Sequence, residues 1–342
     1  MRFTKRLGLC AAVSAGALLV SLTMHSGAAR ADDKSFVMKI TLPTLNDAPH
    51  QYAKDYAAAV EKDSGGRIKP EVYPLSQLGS IPRQIEGTQF GSIQCAIIPP
   101  EFFVGVDERF QIMAAPALIE TMEQGQRLAQ DPAVLKLMLG LGANKGLHGA
   151  GLFLAAQSAI ISRAPIRTLA DFKGKKIRIF ASDFQSVAFE RLGATPVAMT
   201  LGDVLPAISQ GTIDGAVAAV PVFTNLHFQD AAKYVVETHQ PAIFIAVELS
   251  KKWYEGLPKD LQDIVDNDAK KVGVAINPWA TDYDAKARGV WKQSGGELVS
   301  LSPTEQSAMM ETLASVGEDV AKKQPALAEA YKIVTEAAKR DR

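Results

Sequence analysis

The residue with the most distinctive chemistry is an arginine inside an apolar strand. Arg178 stands between Ile177 and Ile179, in a segment typical of a strand buried in a parallel sheet. A guanidinium carries a rigid planar fork of donors that matches the two oxygens of a carboxylate, which a lysine ammonium cannot match. A buried cation without a partner is strongly destabilising. Arg178 therefore forms a salt bridge within the protein, lies at an exposed strand edge, or binds an anion from solution.

Motifs typical of enzymes are sparse. The sequence has no H-E-x-x-H zinc motif, no G-x-S-x-G nucleophile motif and no Walker-type phosphate loop, and its five histidines lack metal-ligand spacing. Residues 140–146 approximate a dinucleotide-binding glycine pattern, but they follow a helical pattern and indicate a helix end and loop. Cys95, in an apolar strand, is expected to be a small buried hydrophobe, and His50 a solvated or capping residue. The sequence thus predicts no enzyme, no cofactor and no metal site.

The N-terminus is typical of an export signal. Three basic residues within the first six precede an uncharged, mostly apolar run at 7–24, and Ala29-Arg30-Ala31 forms an A-x-A cleavage site. A membrane anchor is the alternative, because the run is at the short limit for a span. We predict a signal peptide over residues 1–31 and a periplasmic location for the processed chain.

Charge and cysteine content narrow the partners of the processed chain. Residues 1–31 hold four of the 37 basic residues and no acidic one, which leaves 33 basic against 37 acidic residues, a net charge of −4. Such a balance argues against nucleic-acid binding. Cys95 alone remains, so no disulfide within one chain is expected. No second apolar run has membrane length, and we predict no stable membrane insertion after the signal is removed.

The pattern of strands and helices indicates two α/β units. A β-α-β-α-β order runs through residues 36–98 and restarts over 176–220. Strand-like segments at 147–163 and 233–248 are positioned to cross between the units. We assign lobe I to 32–154 with about 244–285, and lobe II to 155–243 with about 286–342. An apolar stripe from 261 to 290 predicts one long helix that spans both lobes.

Residues 169–220 carry motifs that point to a family. DFKGKKIR (171–178), LGATP (192–196) and QGTIDG (210–215) occur in the order in which D-x-K-G-x-K-I-R, L-G-A-T-P and Q-x-G-x-x-D-G recur in the solute-binding proteins of tripartite ATP-independent periplasmic (TRAP) transporters. The third match lacks the spacer between the glutamine and the first glycine. SGGRI (64–68) and the motifs after it provide a separate match in lobe I. The resemblance covers roughly residues 40–248.

The resemblance implies both a fold and a function. The fold would be α/β, with two lobes hinged by long strands and a long C-terminal helix across both. The function would be to bind a small organic acid and deliver it to the membrane permease subunits of a TRAP transporter. By resemblance, the arginine that ends K-I-R, here Arg178, forms a two-point salt bridge with the carboxylate of the ligand.

Other candidate ligand contacts lie near strand ends. Gln157 falls where some relatives place a second arginine, so its neutral amide implies a single anchored carboxylate. Sialic-acid-binding relatives carry an asparagine after the position of Gly215, whereas this chain continues with AVAA, which includes Ala218. The remaining candidates are apolar or small residues from both lobes: Phe153, Phe180, Phe223, Thr44 and Pro99. Together they favour an apolar or aromatic carboxylate over a polyhydroxylated one.

Two other functions share this type of fold. A periplasmic enzyme with a similar cleft is one alternative, since fold alone does not define function. A sensor subunit that signals through the same lobe closure is the second alternative.

Overall fold

The structure is a computed structural model that describes residues 35–238 and 242–340. In chain order, its strands are β1 (Phe36–Thr41), β2 (Ile68–Tyr73), β3 (Cys95–Ile98), β4 (Leu147–Gln157), β5 (Ala159–Ser162), β6 (Lys176–Ile179), β7 (Thr195–Ala198), β8 (Gly215–Ala218), β9 (Tyr234–Glu237), β10 (Ala242–Ser250) and β11 (Glu297–Ser300). The predicted signal peptide, residues 1–31, lies outside the described residues.

Helices connect these strands. They are α1 (Ala48–Asp63), α2 (Ile81–Phe90), α3 (Met122–Leu128), α4 (Pro132–Met138), α5 (Asp183–Arg191), α6 (Leu201–Ser209), α7 (Val220–Asn225), α8 (Lys251–Glu255), α9 (Lys259–Gln293), α10 (Pro303–Leu313), α11 (Val316–Ala321) and α12 (Pro325–Arg340). In the described part of the chain, every helix is too short or too polar to cross a membrane.

Lobe I is built on a sheet with the strand order β2-β1-β3-β10-β4. The first three strands are parallel, and β10 pairs antiparallel with β3 and β4. Successive side chains of β3 point to opposite faces: Ile97 packs in the same apolar cluster as Tyr52 of α1, and Ile98 packs with Ile85 of α2. Because helices cover both faces, all four residues of β3 are buried.

Lobe II is built on a second sheet, with the order β11-β9-β5-β8-β6-β7. Strand β6 is parallel to β7 and β8, and β5 is antiparallel to β8 and β9. In the described residues, one connection passes directly between the sheets, where only Ser158 separates β4 from β5. Strand β9 of lobe II precedes β10 of lobe I in the chain.

The helix α9 contacts both lobes. Its 35 residues correspond to a length of about 52 Å. On lobe I, the hydroxyls of Tyr52 and Tyr56 donate to the carbonyls of Ala269 and Val265 at 2.9 and 3.0 Å. Towards its other end, α9 packs on α7 and β11 of lobe II. The predicted α/β fold, with two lobes, hinge strands and a long C-terminal helix, is confirmed.

The segment after α9 divides between the lobes. Strand β11 pairs with β9, and α10 and α11 pack on α5 of lobe II. Helix α12 packs instead on α3 and α4, in the segment between β3 and β4, where Gln124 donates to the carbonyl of Ala338 at 3.0 Å. The division drawn from the sequence placed all of 286–342 in lobe II. The apolar face of α12 covers lobe I helices that would otherwise be exposed.

Close packing between strands in the lobe II sheet predicts that one added methyl group has a large effect on stability. A Cβ at Gly215 would lie 2.4 Å from the carbonyl oxygen of Ile161 on the neighbouring strand, whereas a Cβ at Gly202 in α6 has no neighbour within 4 Å. We expect Gly215→Ala to lower the free energy of unfolding by about 1–3 kcal/mol. Gly202→Ala, the matched control, should leave it unchanged or raise it by less than about 1 kcal/mol. Urea unfolding midpoints test this, and equal midpoints for the two variants would contradict it.

Candidate functional site

A cavity of ≈ 60 Å³ lies between the two sheets. Residues that follow the carboxyl ends of β1, β3, β6 and β8 contribute to its wall, as do the crossing strands β4 and β10 and helices α1, α7 and α9. Carboxyl ends of parallel strands are the usual place for a ligand site in α/β proteins. Four of the described lining residues carry polar side chains: Thr44, Asp47, Arg178 and Tyr283. The rest are alanine, proline and larger apolar residues.

The position of Arg178 follows from strand alternation in β6. Ile177 and Ile179 point into one apolar cluster, and Phe180 belongs to the cluster on the opposite side. Arg178 points the same way as Phe180, because residues two apart in an extended chain share a face. Its side chain is only 1% exposed and lines the cavity. The exposed-edge alternative for Arg178 is therefore excluded.

Main-chain carbonyls and aromatic rings fix the guanidinium. Nε donates to the carbonyl of Met199 and Nη1 to that of Val217, both at 2.8 Å. The Cζ atom lies 4.7 Å from the ring centroid of Phe180 and 5.9 Å from that of Phe102, in the range of cation–π attraction. A guanidinium has five N–H donors, so hydrogens on Nη1 and Nη2 remain for a further acceptor. No described residue accepts from Nη2.

Glu101 is the acidic residue whose charge affects the pKa of Arg178. No carboxylate among the described residues lies within 4.0 Å of the guanidinium. Burial lowers the pKa of Arg178 to about 9, and the charge of Glu101 opposes this shift. Burial raises the pKa of Glu101 to about 8, although its own amide and Arg178 act in the opposite direction. Because no carboxylate of the described residues reaches the guanidinium at ion-pair distance, the internal salt bridge alternative is also excluded.

Two polar residues of lobe I, Thr44 and Asp47, line the same cavity as Arg178. Asp47 caps α1 and accepts from the Thr44 hydroxyl at 2.9 Å and from the His50 amide at 3.2 Å. Burial raises the pKa of Asp47 to about 6, and these hydrogen bonds oppose the shift. The aspartate is thus held by its own loop and helix.

Five of the eight candidate residues lie together. Arg178, Phe180, Ala218, Thr44 and Pro99 all line the cavity, the first three from lobe II and the last two from lobe I. Their roles as ligand contacts stay predictions. What brings them together is that each lies on a strand at its carboxyl end or directly after it.

The other three candidates lie outside the cavity lining. Phe153 stacks on Tyr52 at 4.5 Å between ring centroids, and Phe223 packs near Trp291 of α9, so both are core residues. The amide of Gln157 donates to the carbonyl of Glu120 at 3.3 Å on another part of the surface. The pairing of β10 with β4 shifts by one residue at Ala155, and such a bulge reverses the faces that follow it.

Several lining residues were not predicted from the sequence. They come from lobe I, lobe II and α9: Phe102, Ala155, Ala156, Leu201, Val222, Ile243, Ile245 and Tyr283. Tyr283 belongs to the apolar stripe of α9 and was assigned to packing alone. Phe102 lies three residues after Pro99, at the end of β3. Pro99 was predicted as a ligand contact because of that strand end, and the same reasoning could have identified Phe102.

Comparisons with known proteins agree with this architecture. The DctP family model, described as bacterial extracellular solute-binding protein, family 7, matches residues 41–324. The C4-dicarboxylate-binding periplasmic protein DctP of Rhodobacter capsulatus is 26% identical over 94% of this chain and 95% of its own length. The uncharacterized protein YiiZ of Salmonella typhimurium is 28% identical over 60% of this chain and 64% of its own.

A solved structure shares the fold. A TRAP periplasmic solute-binding protein from Desulfovibrio salexigens, crystallised with bound orotic acid, superimposes with a TM-score of 0.85 at 24% identity. The match covers 90% of this chain and 100% of that chain. At this identity the likeness supports the arrangement of lobes and strands.

The buried carboxyl of Glu101 predicts a pH dependence of stability. Its pKa in the folded protein, about 8, exceeds the ordinary value of 4.5. Its protonation therefore stabilises the fold fully below about pH 4.5, and this stabilisation is lost as the pH rises through about 8. Glu101→Gln should remove that loss, so the variant gains stability relative to wild type, on the order of a few kcal/mol, between about pH 5 and pH 9.

Urea unfolding of both proteins at the two pH values measures this gain. Glu311→Gln, on the exposed surface of α10, is the control and should follow the wild type. A constant difference between Glu101→Gln and wild type at both pH values would show that the carboxyl does not titrate in this range.

Proposed function

Because this chain belongs to family 7 of the bacterial extracellular solute-binding proteins, we propose that its cleft binds an apolar or aromatic carboxylate through Arg178 and delivers it to a TRAP permease. The resemblance to TRAP solute-binding proteins is confirmed by the family match. Members of this family bind small organic acids for transport and are not enzymes. The ligand class, the Arg178 salt bridge and the delivery step for this chain are our proposal.

The observation that carries the proposal is a buried cation with no carboxylate of the described residues at ion-pair distance. Arg178 is 1% exposed, its charge persists near neutral pH, and Glu101 is mainly neutral there. A buried cation that lacks an anion costs several kcal/mol. A carboxylate in the cavity would supply the missing charge and accept from the hydrogens left on Nη1 and Nη2. The planar fork of arginine suits two such bonds at once.

The rest of the wall supports an apolar ligand body. Apart from Arg178, the polar side chains of the described lining are Thr44, Asp47 and Tyr283, and Thr44 and Asp47 already bond to each other. Each hydroxyl of a sugar acid would need a partner, since an unsatisfied buried polar group costs about 1–3 kcal/mol. Aromatic and aliphatic acids avoid that cost. The ligands of the relatives differ: one relative is named for C4-dicarboxylates, and another was crystallised with orotic acid.

The two lobes suggest how the ligand is captured. Arg178 belongs to lobe II, and both carbonyls that accept from its guanidinium belong to that lobe too, so it binds the carboxylate before closure. Closure then brings the apolar wall of lobe I onto the ligand. A ligand favours the closed state by the contacts that it makes only there. We place this cycle in the periplasm, in agreement with the predicted signal peptide and the periplasmic relatives.

A panel of acids tests the ligand class. We expect benzoate and hexanoate to raise the unfolding temperature, and to stabilise the fold by about 2.7 kcal/mol at a hundredfold excess over the dissociation constant. Methyl benzoate and gluconate are the matched controls, which lack the charge and the apolar body respectively. Thermal-shift assays measure the effect. A shift with gluconate and none with either apolar acid would contradict the ligand class.

Substitution of Arg178 tests the anchor. Arg178→Gln should weaken binding of the responsive acid roughly 30-fold to 4,000-fold, which corresponds to the about 2–5 kcal/mol lost when one partner of a buried charge pair is removed. Arg178→Lys should also weaken it, because the ammonium lacks the fork. Calorimetry measures the dissociation constants, with exposed Arg163→Gln as control. Unchanged affinity in a folded Arg178→Gln protein would rule out this anchor.

A further inference from the structure

One side chain of lobe II bonds to the rim of lobe I at the cavity. Asn225 ends α7, and its Nδ2 donates to the carbonyls of Leu45 and Asn46 at 3.0 and 2.8 Å. Both acceptors belong to the loop between β1 and α1. Its Oδ1 accepts from the hydroxyl of Tyr283 on α9 at 3.0 Å. A single amide therefore joins lobe II, lobe I and the long helix.

The same loop forms part of the cavity wall. Thr44 and Asp47, the residues on either side of the two acceptors, line the cavity, and so does Tyr283. The loop has a defined shape: Asn46 has a φ of +54°, and its amide donates to Nδ1 of His50 at 3.0 Å. An asparagine tolerates this left-handed conformation better than most residues. The acceptors are thus held in place by lobe I itself.

The amide suits its partners chemically. A side-chain amide has two N–H donors and an acceptor oxygen, and here both donors meet carbonyls while the oxygen meets a hydroxyl. An aspartate of nearly the same shape would place an oxygen opposite the two carbonyls. The residue type, and not only its size, is therefore matched to the arrangement.

We propose that Asn225 is a latch that holds the lobes closed and so sets how tightly a ligand is retained. The two bonds to Leu45 and Asn46 form only when α7 approaches the rim of lobe I, so they stabilise the closed state selectively, whereas Tyr283 lies on α9, which packs on α7, and orients the amide. Apparent affinity scales with the fraction of protein in the competent state. The inference rests on the proposed function, since retention matters for a protein that binds and releases a solute. Asn225 acts as a positioning residue and needs no contact with the ligand.

A second bond between the lobes lies outside the cavity lining. The amide of Asp183 in α5 donates to Oε1 of Gln111 at 2.7 Å. Neither residue lines the cavity. Substitution of Asn225 does not alter the donor or the acceptor of this bond, so variants of Asn225 remove only the latch bonds.

The test measures the distance between the lobes. Spin labels on Lys54→Cys in α1 and Lys173→Cys in lobe II, both exposed positions, report the distance by electron–electron resonance, and the native Cys95 is buried. Distances are recorded without ligand and with benzoate. We expect Asn225→Asp to shift the population from the shorter to the longer distance, and Asn225→Ala and Tyr283→Phe to shift it less. Asn267→Asp, at an exposed site of α9, makes the same change of charge and should match the wild type.

Affinity provides the second readout. Asn225→Asp should weaken benzoate binding about tenfold or more, the equivalent of one to two hydrogen bonds. The urea unfolding midpoint of this variant should equal that of the wild type. Unchanged distance distributions in Asn225→Asp would overturn the latch. A wild-type protein with only the longer distance in both conditions would overturn it too. If the distances respond to Asn225→Asp but benzoate binds neither protein, the latch stands and the proposed ligand class fails.

Discussion

The structure is organised around a guanidinium that the protein buries but does not neutralise. Arg178 is fixed by two main-chain carbonyls and two aromatic rings, and these contacts orient the charge without cancelling it. Glu101 comes near in electrostatic terms, yet burial keeps it mainly protonated near neutral pH. The carbonyls are weak acceptors compared with a carboxylate. Among the described residues, the charge of Arg178 thus has no carboxylate at ion-pair distance.

The scaffold allows such a cleft to exist. Two sheets, joined where only Ser158 separates β4 from β5, place the carboxyl ends of β1 and β3 opposite those of β6 and β8. The helix α9 then ties both sheets together, with Tyr52 and Tyr56 bonded to its carbonyls on one side and α7 packed on the other. Both apolar clusters contain residues from each sheet, such as Ile98 with Ile177 and Ile40 with Ile161, so the two sheets share their cores.

Much of this architecture follows from local patterns in the sequence. Buried strands, the long stripe of α9 and the placement of Arg178 depend on periodicity, which the sequence shows directly. The positions of Gln157 and Phe223 outside the cavity lining depend on structural features that the sequence pattern does not show. The bulge at Ala155 reverses side-chain direction within β4, and the short helix α7 begins at Val220, where the predicted strand ends, and packs Phe223 near Trp291. The contacts of α12 are long-range, so no local pattern reports them.

The separation of charge and shape between the two lobes has an evolutionary consequence. The guanidinium and its carbonyl supports belong to lobe II, whereas a large part of the apolar wall, such as Phe102, Ile243 and Ile245, belongs to lobe I. Under the proposed anchoring by Arg178, substitutions in that wall alter which molecular body fits and leave the contact with the acid group in place. Descendants of one ancestral gene can thus diversify across nutrients by small steps, each of which preserves a working receptor.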